Sequence, residues 1–135
     1  MMSEMAVELR LLGAAVVVGL VQLMWAAAAA RAQQGDMKWA LGPRDTPMPI
    51  EGVAARLNRA FWNFVETFPF FAAAVLACAA AGKLGTELSI WGSGLYVAGR
   101  ALYAPIYATG IPTVRTLVWF AATIGIVMVL VALFR

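Results

Sequence analysis

Four long apolar stretches alternate with shorter segments rich in glycine, proline or charge. The first runs from Ala6 to Ala30, about 25 residues. As a helix it would be about 37 Å long, enough to cross a bilayer with some tilt. The others predict helices over about 53–81, 87–109 and 113–134. The pattern therefore predicts an all-α membrane protein, a bundle of four transmembrane helices in one domain over 1–135. A cleaved secretory leader is the rival reading of the first stretch, since Ala30-Arg31-Ala32-Gln33 resembles a small-residue cleavage site. Against it stand Glu4 and Glu8 in place of a basic cluster, and an apolar run longer than such leaders carry.

The connections differ in kind. Between 31 and 53, Gly35, Gly42, Pro43, Pro47 and Pro49 argue against a regular helix, and the length suggests a loop that covers something. Trp39 suits an interfacial anchor. The other two connections, around Gly82–Gly85 and Gly110–Pro112, are tight turns. Thr113 is expected to cap the last helix, and Pro69 and Pro105 fall inside the second and third.

The polar positions inside these stretches are not scattered. Arg56, Arg59, Asn63 and Glu66 recur at helical spacing and share one face, while Leu57, Phe61, Trp62, Phe64, Val65 and Phe68 fill the rest. A basic end resting among headgroups accounts for Arg56 and Arg59, but not for Asn63 and Glu66, which lie deeper. Tyr96, Arg100, Tyr103 and Tyr107 form a second stripe. An aromatic belt lies at one depth, whereas this stripe climbs about three turns. An arginine at the depth of Arg100 needs a partner, and Glu66 is the expected anion. Gln22, mid-span in the first helix, is expected to bond to another helix, whereas Glu8 and Arg10 can reach an interface. Arg115 and Thr116 lie in the first turn of the last helix, where backbone N–H groups also attract an anion.

Composition narrows the chemistry. The chain is 63% hydrophobic and 13% charged, with a mean hydropathy of +0.82, which excludes an ordinary soluble domain. Its net charge of +3 is not gathered into a nucleic-acid patch. It has no histidine, and Cys78 is its one cysteine, so no metal site is expected; Cys78 reads as a small packing residue. Most arginines and lysines fall on the side of the long loop, which puts that loop and the polar helix ends in the cytoplasm. The inward groups are Arg56, Arg59, Asn63, Glu66, Arg100, Tyr103, Tyr107 and Arg115. Four arginines against one glutamate invite a ligand with more than one acidic group, and the glutamate could take an ammonium on it. A zwitterionic peptide with two carboxylates fits that map.

RLNRAFWNFVETFPFF together with GRALYAPIYATGIPTVRT resembles the MAPEG family, the membrane-associated proteins in eicosanoid and glutathione metabolism. That family includes microsomal glutathione transferases. The LGPRDTP loop looks most like the small bacterial members, for which a bacterial inner membrane is the expected location. The resemblance implies a homotrimer with glutathione bound between neighbouring subunits, and a lipophilic small molecule or lipid hydroperoxide as second substrate. On this resemblance Arg59, Asn63 and Glu66, and Arg100, Tyr103 and Tyr107, match glutathione contacts, with Arg56 beside them. Arg31 matches an arginine that approaches from the next subunit. Arg115 matches the arginine that stabilises the thiolate, and Thr116 stands where some members have a serine hydroxyl near the sulfur. Thr67 departs from the pattern, since some members have a tyrosine there. A non-catalytic membrane module that binds an anionic ligand or lipid, or an assembly subunit, remains the alternative.

Overall fold

A computed structural model describes residues 4–135. Five helices make up its regular structure: α1 (Val7–Gln33), α2 (Met37–Leu41), α3 (Gly52–Ala80), α4 (Glu87–Thr109) and α5 (Pro112–Phe134). Among the described residues there is no strand. By length and hydropathy α1, α3 and α5 are fit to cross a membrane. The hydropathy of α4 is lowered by Arg100 and the polar residues around it.

Each boundary has a local cause. Thr86 caps α4 reciprocally with Ser89: each side chain meets the other's backbone N–H. The same helix ends at Gly110, whose φ of 80° is the left-handed conformation that only glycine adopts freely. Immediately after, α5 opens on Pro112, which needs no N–H donor in a first turn. Ile111 is its N-cap, so Thr113 lies inside the helix and does not cap it as expected. The expected loop over 31–53 also differs. α1 runs on to Gln33, and Asp36 caps the short α2 by accepting from the Trp39 backbone N–H at 3.2 Å. The rest folds on itself: the Trp39 indole donates to the Thr46 carbonyl at 2.6 Å, and Gln33 exchanges two bonds with Glu51.

Helix packing is set by small residues. α1 packs on α3 and α4, α3 also packs on α4 and α5, and α4 on α5. Gly92 and Gly125 let α4 and α5 approach until a Cβ added at Gly92 would lie 2.8 Å from the Gly125 carbonyl. Gly19 of α1 is likewise the only size that fits under the Phe64 ring. At the centre, Phe71 stacks on Tyr96 at 4.2 Å between ring centroids. Cys78 is buried there and its thiol meets the Val129 carbonyl.

Two buried polar groups hold α1. Gln22 donates from Nε2 to the Arg100 carbonyl at 3.1 Å, which joins α1 to α4 in mid-span. Glu8 does not reach an interface: it is fully buried, and its Oε1 accepts from the Gly85 N–H at 2.6 Å and from the Ser89 hydroxyl. The turn after α3 offers the first donor and the first turn of α4 the second.

Candidate functional site

The polar stripes of α3 and α4 converge with the first turns of α5 on one cleft of about 490 Å³. Arg59, Asn63 and Glu66 line it from α3, Tyr103 and Tyr107 from α4, and Arg115 and Thr116 from α5. The tyrosines order the cations. The Arg59 Nε donates to the Tyr107 hydroxyl at 3.1 Å. The guanidinium of Arg115 lies over the Tyr107 ring, 4.7 Å from its centroid, and that of Arg59 lies 5.7 Å away. Tyr103 meets Tyr107 edge to face at 5.6 Å. Both arginines are thereby held by a phenol, and neither forms a salt bridge among the described residues, so their charge is directed into the cleft.

Three expected site residues lie elsewhere. Arg100 is fully buried behind the cleft and does not line it. Its expected partner Glu66 is not the one it meets: its Nη1 donates to Asn63 Oδ1 at 2.9 Å, and its guanidinium lies 4.1 Å from the Tyr103 centroid. The cause is reach, since Asn63 is one turn nearer along α3 while Glu66 points to the open side. Arg56 turns to the end of α4 and donates from Nε to the Ala108 carbonyl at 3.0 Å. That carbonyl is one of those left open at a helix C-terminus, where a cation is favoured. Arg31 donates to the Gln34 backbone and side-chain oxygens and lines none of this cleft. Thr116 lines the cleft, but its hydroxyl donates to the Pro112 carbonyl one turn back at 2.9 Å.

Asn58, Trp62 and Trp119 complete the lining and were not among the expected residues. The signal for them was present. Asn58 and Trp62 precede Glu66 at intervals of four, and Trp119 follows Arg115 by four, so each shares a helix face with an expected residue. The aromatic character of Trp62 and Trp119 hid those two among residues fit for lipid. Below the cleft a second groove of about 310 Å³ continues between α3 and α5, sharing Asn63, Glu66 and Trp119 and adding Thr67, Phe70, Thr123 and Ile126. The space thus grades from a charged mouth to an apolar foot.

A family model described as the MAPEG family matches residues 11–135. The chain belongs to the MAPEG family. It is an integral membrane protein of a family that serves glutathione and eicosanoid metabolism. No curated protein and no solved structure matches it. The match covers all three helices that supply the cleft of this MAPEG chain, so every residue that lines it falls within the matched range.

Proposed function

We propose that the cleft binds glutathione and activates its thiol against a lipophilic electrophile or a lipid hydroperoxide. The observation that carries this reading is the meeting of Arg59, Asn63 and Glu66 with Arg115 around one space. Glutathione carries two carboxylates and one ammonium. The cleft offers two arginines without carboxylate partners, one exposed glutamate, and a volume in the range of small-molecule sites, about 300–1,000 Å³. On this reading Arg59 holds a carboxylate, Glu66 holds the ammonium, and the Asn63 amide holds a carbonyl or carboxylate oxygen. When bound, glutathione supplies a thiol nucleophile.

Arg115 performs the activating part. A free thiol has a pKa of about 8.5 and is a few per cent ionised at neutral pH. Arg115 lies in the first turns of α5, where unpaired backbone N–H groups add to its positive field. Both favour an anion beside them, and each unit by which they lower a thiol pKa is about 1.4 kcal/mol. The chain then needs no nucleophile of its own, which agrees with a buried Cys78 and the lack of histidine. The apolar groove below, with Phe70 and Ile126, would take a lipophilic second substrate from the bilayer.

The same reading includes four membrane crossings, α4 being the fourth, and a homotrimer. It also includes a bacterial inner membrane, with the cleft open to the cytoplasm on the arginine-rich side. A second reading is a non-catalytic binding module. It is favoured by Thr116, whose hydroxyl proton is held by Pro112 and not turned to the cleft. Titration of the purified protein with glutathione, followed by thiolate absorbance, separates the two. A saturable thiolate band at neutral pH supports activation; binding by calorimetry without that band leaves the binding module.

A further inference from the structure

On the opposite side of the bundle, α1 and α4 border a separate groove of about 200 Å³. Its walls are Val17, Val18, Val21 and Trp25 of α1 and Ala101, Ala104 and Pro105 of α4. Among the lining residues only Gln22 carries a side-chain oxygen, and the Trp25 indole N–H is the other polar group.

Two acceptors in its wall lack their expected donors. Gln22 is only 5% exposed, and its Oε1 has no hydrogen-bond partner among the described residues. The orientation of this amide is fixed, because the Arg100 carbonyl it meets can only accept, so Nε2 faces Arg100 and Oε1 is left over. Pro105 adds a second acceptor. It has no N–H, so the Ala101 carbonyl one turn earlier loses its regular helical donor. A buried polar atom without a partner is unfavourable by about 1–3 kcal/mol, and more so where lipid replaces water. No lysine or arginine lines the groove, so an anion has nothing to meet there.

We propose that this groove is a binding site for a small lipophilic molecule with a hydroxyl group, which donates its proton to Gln22 Oε1 or the Ala101 carbonyl. The volume is below that of a drug-sized site and suits a short chain or a compact alcohol. The site shares no lining residue with the arginine cleft and does not depend on how that cleft is read.

Trp25 provides the readout. In a variant that keeps Trp25 and has Trp39, Trp62, Trp91 and Trp119 replaced by phenylalanine, tribromoethanol in nanodiscs should quench fluorescence saturably. Its methyl ether, which has no donor, should require a concentration roughly threefold to tenfold higher, the worth of one net hydrogen bond. Gln22→Leu should remove much of that difference. Because Gln22 also holds α4, Ala101→Phe serves as a second variant: it fills the groove from an exposed position and should abolish saturation with the fold intact. Equal quenching by alcohol and ether overturns the proposal, as does quenching that rises linearly with both. Saturation that is seen only after the protein is dissociated into single chains also overturns it, and assigns the groove to a helix of a second copy.

Discussion

Arg100 donates from Nη1 to Oδ1 of Asn63 at 2.9 Å, joining α4 to α3 directly behind the cleft. Arginine can only donate, so the amide oxygen must face Arg100, and the Asn63 NH₂ is left for the cleft. Arg100 thus acts through Asn63 and positions it. Asn63→Asp should keep or raise the melting temperature, because a carboxylate meets Arg100, yet weaken glutathione binding about tenfold or more, because a donor facing the ligand becomes an acceptor. Arg100→Met should lower stability by about 1–3 kcal/mol and weaken binding as well. Wild-type affinity in Asn63→Asp, measured by calorimetry, would remove Asn63 from the site.

Glu66 is exposed in the protomer and makes no bond to Arg100. The sequence suggested a buried pair, whose loss would destabilise the two helices that it joins. The structure instead predicts that Glu66→Gln melts within about 0.5 kcal/mol of wild type. Glutathione should bind more weakly by about 1–2 kcal/mol, and its analogue without the amino group should bind equally well to both proteins. An equal loss for both ligands would show that Glu66 does not meet the ammonium.

At the other end of the bundle, Glu8 joins the start of α1 to the turn before α4 through Gly85 and to the first turn of α4 through Ser89. Glu8→Ala leaves a buried N–H without an acceptor and should destabilise the protein by about 1–3 kcal/mol. Ser89→Ala removes the capping box too, so the two changes should be less than additive in a double-mutant cycle. The cleft is lined by neither residue, so glutathione affinity should not change. Additive effects would mean that Glu8 and Ser89 do not share an interaction.

Hydrophobic runs and tight turns were enough to find the long helices, because in lipid the backbone has few other ways to satisfy itself. The stripes on α3 and α4 gave Arg59, Asn63, Glu66, Tyr103 and Tyr107 as one surface, since helical spacing alone puts them together. Spacing does not say how far a side chain reaches. Arg56 was taken by a free carbonyl at the end of α4, and Arg100 by an amide one turn away. Glu8 was misread for a related reason. Its partners come from a turn and a helix start more than seventy residues later, and no local pattern carries that information. The short α2 escaped notice because glycine and proline crowd around it, while a single Asp36 cap is enough to start one turn.

The trimer has its own observable. Arg31 lies outside the cleft of its own chain, held by Gln34. If it serves a neighbour's cleft, mass measurement in mild detergent should give three copies. Arg31→Ala should then weaken glutathione binding without altering the melting of the chain that carries it. A stable single chain that binds glutathione as tightly as the assembled protein would sink the shared site.

The enzymatic reading depends most on Arg115, which lies over Tyr107 and lines the cleft from α5. Arg59 and Glu66 approach from α3, on the other wall. Arg115→Ala should therefore leave glutathione affinity largely intact, because the charged ends keep their partners. The bound thiol should instead titrate at higher pH. Turnover with a model electrophile should fall by roughly tenfold per unit of that rise while the thiol is mostly protonated. The Arg115→Lys variant separates charge from geometry. A lysine keeps the positive field but stacks less well on the Tyr107 ring, so it should restore part of the thiolate band. If Arg115→Ala abolishes binding while the residual bound thiol keeps its wild-type titration, Arg115 anchors a carboxylate and the activating charge lies elsewhere.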